Sequence, residues 1–176
     1  NENAVVGFDG NKNTAKLKYS NDPNNDQSFK EIEKKTYDYT FSIDGNVIGN
    51  NAYVDHLVKK TGVGTWTETT SDPIVSEYKA LENAEFTLFK DEACTTAFTD
   101  ADVKAKATVK STSKGMIVFE GLDGNTEYYI KETKAPNGYS INTNVYGFKF
   151  EPTFDKDGQM LSYKAYVKNP GSSTWT

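Results

Sequence analysis

Apolar and polar side chains alternate with a period of two along most of the chain, the signature of half-buried strands. Residues 14–19 put Ala15, Leu17 and Tyr19 on one face. Tyr37, Tyr39, Phe41 and Ile43 alternate with Asp38, Thr40 and Ser42, and this strand is predicted to end at the turn formers Asp44-Gly45-Asn46. Further strands are predicted over 53–60, 84–89, 116–119, 127–133, 146–151 and 159–168. Gly121-Leu122-Asp123-Gly124-Asn125 and Asp155-Lys156-Asp157-Gly158 supply turns between them. Residues 22–35, polar and charged, read as an exposed linker, and 61–76 as a long loop. The Ala-rich stretch 99–110 is the single predicted helix. Seven or eight short strands with turns about every ten residues predict an all-β, immunoglobulin-like sandwich.

Composition reinforces this reading. Tyr, Phe, Thr and Val, which suit a pleated surface, are plentiful among the 176 residues. The net charge is −5 with both signs interspersed, so no basic stripe suits nucleic acid. No apolar run is long enough to span a membrane. The single cysteine, Cys94, cannot form an internal disulfide, and the single histidine, His56, lies far from it in sequence. Together they make no nucleophile–base signature, and Cys94 reads as a small buried or half-buried residue. No paired-carboxylate or metal-ligand motif stands out, so neither an enzyme with turnover nor a cofactor is expected. Asp22-Pro23-Asn24-Asn25-Asp26 and the 155–158 segment lack the spacing of a calcium loop and read as turns. Trp66 reads as a loop aromatic, packed on its own domain or exposed for contact with a glycan or protein.

The most informative run is Tyr128-Tyr129-Ile130-Lys131-Glu132-Thr133-Lys134-Ala135-Pro136-Asn137-Gly138-Tyr139. Side chains two apart on a strand share a face, so Glu132 points wherever Ile130 points. Two readings follow. Either a carboxylate is aimed into a core, which is costly unless it is paired or protonated, or the strand end bends and delivers it to water.

This run resembles the E-box of Gram-positive sortase-assembled pilins, roughly hydrophobic-x-Glu-Thr-x-Ala-Pro-x-Gly-Tyr. Ile130, Glu132, Thr133, Ala135, Pro136, Gly138 and Tyr139 match it. Leu81-Glu82-Asn83-Ala84-Glu85-Phe86-Thr87-Leu88 is similar to the family's Leu-Ala-Gly-Ala-Glu-Phe-x-Leu, departing at Glu82-Asn83. Residues 17–24 resemble the segment that joins a middle pilin domain to the last one, and 39–46 the entry to that last domain. The resemblance implies a CnaB-type, reverse immunoglobulin sandwich over 26–176. Residues 1–25 would then be the terminal strand of a preceding domain plus a linker, with Asn21 a candidate cross-link residue of that neighbour.

The same resemblance implies a lysine on the first strand joined through its side chain to an asparagine on the last, promoted by the E-box glutamate. Carried over, the acid is Glu132 and the asparagine is Asn169. The lysine is Lys59, which shares a face with Leu57, in preference to the adjacent Lys60. A rival alignment takes 39–46 as the first strand. That strand has no lysine, and the bond would be lost. Where the bond forms, burial keeps the lysine amine neutral and nucleophilic, while a protonated Glu132 polarises the Asn169 carboxamide and passes a proton to the departing ammonia. The reaction happens once per molecule, without turnover. The function implied is a structural subunit of an extracellular pilus, cell-wall anchored in the full-length protein. Its partners would be neighbouring pilin subunits and, on the full-length chain, sortase. The alternative is an adhesin or minor pilin that contacts a host receptor or glycan through the 61–76 loop.

Overall fold

The computed structural model describes residues 6–7, 10–18, 29–49, 55–63 and 79–176; for several strand residues, Lys59 and Lys60 among them, only the backbone is described. Among the described residues, eleven strands and one short helix follow in order: β1 Asn11–Lys18, β2 Phe29–Thr36, β3 Phe41–Gly49, β4 Asp55–Val63, β5 Lys79–Ala80, β6 Glu85–Phe89, α1 Asp100–Val103, β7 Thr108–Lys110, β8 Met116–Leu122, β9 Glu127–Lys134, β10 Val145–Phe154 and β11 Met160–Lys168. The chain divides into two units, one of Asn1–Tyr39 with Thr153–Ser162 and one of Thr40–Pro152 with Tyr163–Thr176.

In the first unit β1 and β2 form an antiparallel pair, with Lys16 opposite Glu31 and Ala15 opposite Ile32. β2 occupies part of what the sequence marked as a linker. The backbone partner that β1 supplies overrides the polar composition of this stretch, a long-range pairing that local letters do not encode. The 155–158 segment forms the β10–β11 turn as expected. Asp155 Oδ1 accepts the N–H groups of Asp157 and Gln159 at 2.9 Å each, and Gly158 takes φ +85°. Its carboxylate therefore serves as a turn cap. Tyr39 stacks on Tyr37 and lies tilted beside Phe154, and its hydroxyl accepts the Met160 N–H at 2.9 Å.

The second unit is the sandwich. One sheet runs β11-β10-β9-β6-β7; the other runs β4-β3-β5, with β8 also paired to β3. The core between them holds Phe41, Ile43, Val47, Phe86, Leu88, Phe119, Ile130, Phe148 and Phe150, all 3% exposed or less. Phe41 of β3 stacks on Phe150 of β10 with ring centroids 4.5 Å apart, joining the sheets. Each such buried ring contributes roughly 2–3 kcal/mol of transfer free energy.

Two expectations fail here for clear reasons. β3 does not turn at Asp44-Gly45-Asn46. It runs straight through, because Asp44 pairs with Lys60 on one side and Val118 on the other, and Gly45 likewise with Lys59 and Ile117. Two flanking strands override the local turn propensity. The 99–110 helix shrinks to one turn. Thr99 and Asp102 form a capping box, but Lys104 adopts the left-handed conformation at φ 53° and Asp100 Oδ1 accepts the Ala107 N–H at 2.9 Å. That bond draws the chain out of the helix and into β7.

Candidate functional site

The site is built on β9, which lies inside its sheet between β10 and β6. Tyr128, Ile130 and Glu132 share the face turned to the core, and they are 2%, 0% and 1% exposed. Glu132 therefore follows Ile130 inward instead of bending to water. It stands opposite Phe86 of β6. The pairing shifts register between Glu85 and Phe86, so that Glu85 faces Lys134 and Thr133 becomes the extra residue. Its hydroxyl lies 3.2 Å from the Thr87 hydroxyl and donates to the Glu85 carbonyl at 3.3 Å. Such bulges re-aim side chains at strand ends.

Glu132 is anchored from the far side of the loop that follows. Its Oε2 accepts the backbone N–H of Asn142 in a short hydrogen bond. Asn142 in turn takes the Asn144 N–H on its Oδ1 at 3.0 Å, which fixes the loop's return into β10. Within the loop, Pro136 is buried and its carbonyl accepts the Tyr139 N–H at 3.1 Å, with Gly138 at φ +88°. Nothing in the sequence pattern marked Asn142 as the partner of Glu132. Its one signal is the Asn-Thr-Asn spacing, which suits an Asx turn.

Two of the runs that carried the resemblance meet here. Leu81, Asn83, Lys134, Pro136, Asn137 and Tyr139 line one groove of about 520 Å³, together with Lys110. Beside it, Glu85 Oε1 pairs with Lys110 at 3.1 Å and with Lys134 at 3.6 Å. The Lys110 ammonium, by its hydrogen bond, is the main reason the Glu85 carboxyl is held below its ordinary range. The 81–84 side of the groove is fixed by Ser111, whose buried hydroxyl accepts the Ala84 N–H at 2.9 Å while its backbone bonds Asn83 and Ala84. Sequence reasoning missed this serine, since a lone Ser between strands carries no signal.

The other expected residues are placed as follows. Asn169 stands just past β11 with its side chain exposed, and its carbonyl accepts the Ser172 N–H at 3.0 Å. β10 separates β11 from β9. The backbone of Lys59 pairs with Gly45, and that of Lys60 with Asp44; their side chains lie outside the described residues, as do Asn21 and Trp66. β3, the first strand of the rival alignment, is a central strand carrying buried Ser42 and Asp44. The buried Oδ1 of Asn46 on that strand has no hydrogen-bond partner among the described residues. Cys94 is half-buried, and burial raises its thiol above the ordinary range. Among the described residues no helix is long and apolar enough to cross a membrane.

Comparison with known proteins agrees with this architecture. The chain is 26% identical over 147 residues to the trypsin-resistant surface T6 protein of Streptococcus pyogenes serotype M6, a match covering 83% of this chain and 23% of that protein. The chain thus spans under a quarter of that relative's length. Residues 75–164 match the profile of the SpaA prealbumin-like fold domain. That match takes in more than half of the chain, including β6 to β10 and the Glu132 motif, and the chain belongs to the SpaA prealbumin-like fold domain family.

Proposed function

We propose that this chain is a load-bearing structural segment of a Gram-positive pilin displayed outside the cell, and that it ties its own strands together once, through a Lys–Asn amide promoted by Glu132. One observation carries the reading. A carboxylate sits at 1% exposure inside a sheet, within the one run that matches the pilin E-box. Such a group is costly to bury and gains its value from chemistry or from a tie. The family match and the surface-protein relative support the structural part. Neighbouring subunits, and sortase acting on the full-length protein, are the partners this role requires.

The cross-link assignment rests on motif order: Asn169 at the end of the last strand, Lys59 on the strand beside β3, and Lys60 as its neighbour. The amine would attack the Asn169 carboxamide carbon, and ammonia would leave with a proton relayed by Glu132. Digestion and mass spectrometry of freshly folded protein test it. The expected product is a branched peptide, lighter by one ammonia, joining the Asn169 segment to the one holding Lys59 or Lys60, and absent from Glu132→Ala. Recovery of the Asn169 peptide as an ordinary linear species would end the cross-link proposal.

A further inference from the structure

Asn137-Gly138 is the only Asn-Gly pair in the chain. It occupies the two central positions of the turn closed by the Tyr139 N–H and the Pro136 carbonyl. Both residues are exposed, and a Cβ added at Gly138 would meet nothing within 4 Å. The turn's hydrogen bond uses neither the Gly138 N–H nor the Asn137 side chain. The other asparagines of this region are less suited to the same chemistry. Asn169 precedes Pro170, which has no N–H, and Asn83 precedes Ala84, whose N–H is held by Ser111. Asn142 and Asn144 precede Thr143 and Val145, whose branched side chains crowd the nitrogen.

We propose that Asn137 is a self-modification site. The Gly138 nitrogen, unshielded because glycine carries no side chain, attacks the Asn137 Cγ. The C–N bond to the side-chain amide breaks, the Gly138 proton leaves with it, and ammonia departs from a five-membered succinimide. Water then adds to either carbonyl of the ring, giving aspartate or isoaspartate, with no oxidant or cofactor. The product carboxylate appears on the wall of the groove that also holds Lys110 and Lys134. Two ammonium groups that share the Glu85 carboxylate then face a second one. The modification is a one-way change of charge in the groove that joins the two motif runs.

The succinimide stage and an intramolecular Lys–Asn bond each lose one ammonia, so intact mass alone confuses them, whereas peptide mapping separates them. The full chain is incubated at neutral and mildly alkaline pH, digested, and the linear peptide between Lys134 and Lys149 is sequenced by fragmentation. The expected result is amide-to-acid conversion at Asn137, as an aspartate–isoaspartate mixture, faster at the higher pH and ahead of Asn142 and Asn144. Asn137→Gln should slow the reaction at this position by at least about tenfold, because the ring to be closed is one atom larger. Exposure of the site keeps that variant folded. An Asn137 that stays amidated, or that reacts no faster than Asn142 and Asn144, overturns the proposal.

Discussion

Replacing Glu132 by glutamine separates what the buried carboxylate does for the fold from what it does for a covalent tie. The amide is nearly the same size, and its oxygen can still accept the Asn142 N–H now held by Oε2. The fold alone should lose little, about 1 kcal/mol, because an amide oxygen replaces the carboxyl oxygen in one buried hydrogen bond. Glu132→Ala adds an orphaned Asn142 N–H, for a total of roughly 2–4 kcal/mol. A missing tie costs more. The loop closed between the Lys59 and Asn169 strands is on the order of 100 residues, worth about 4–5 kcal/mol in the loop-entropy account. Glutamine at 132 should therefore lower stability by about 5 kcal/mol if the tie depends on the acid. At 2–4 °C per kcal/mol for a chain this size, that is roughly 10–20 °C in Tm. Thermal unfolding by circular dichroism, with peptide mapping of the same samples, measures both quantities. A Glu132→Gln protein melting within a few degrees of the parent, with the parent unlinked, refutes the reasoning and leaves Glu132 a structural acid.

Three further outcomes follow from the packing. Ser111→Ala leaves the buried Ala84 N–H without its acceptor and should cost about 1–3 kcal/mol in urea unfolding, whereas a loss under about 0.5 kcal/mol would show that the hydroxyl is not the anchor. Gly147→Ala puts a Cβ 2.9 Å from both the Trp175 ring and the Lys168 Cβ, so Trp175 should swing off the sheet, seen as a red-shifted emission from a still-folded protein. Burial raises the hydroxyls of Tyr128 and Tyr129 above the ordinary tyrosine range, so the stability they hold is complete below pH about 10 and is lost as pH rises further. Alkaline titration followed by tyrosine absorbance should find these two ionising only as the fold opens; smooth ionisation in the folded protein would contradict this.

Strand content was legible because apolar residues two apart meet the core together, as Phe86 and Leu88 do on β6 and Phe148 and Phe150 on β10. It misled where burial was two-sided. Thr87, on the face opposite Phe86 and Leu88, is buried as well, and its hydroxyl lies 2.9 Å from the Thr108 hydroxyl. Asp44-Gly45-Asn46 spelled a turn because the letters carry local propensity but not the presence of β4 and β8 on either side. The inward aim of Glu132 was half legible, since spacing coupled it to Ile130 without saying which way both pointed. The bulge at Thr133 and the return of Asn142 were not legible. Each depends on long-range register, which one strand's letters do not encode.

The end of β11 shows where a tie would matter most. Val167 and Thr176 exchange both backbone hydrogen bonds at 2.9 Å, so the chain doubles back after Asn169 and lies on the edge of β11. Trp175 packs near Tyr129 with centroids 6.2 Å apart, and Lys149 sits 5.3 Å above its ring. Force applied through the C-terminus would load these contacts first and then peel β11 from β10 one pair at a time. Each hydrogen bond resists with a net of only about 0.5–1.5 kcal/mol. Peeling is the weak geometry because the pairs fail in sequence instead of together. Asn169 is the residue at which the tail leaves the strand, so a covalent bond there would stop the peel before the first β11 pair opened. A bond farther along β11 would protect only the pairs behind it. Pulling experiments with and without Glu132 should therefore differ in the force needed to open β11, while the small early release of the Trp175 tail stays the same. Equal opening forces would show that hydrogen bonding and packing alone hold the last strand.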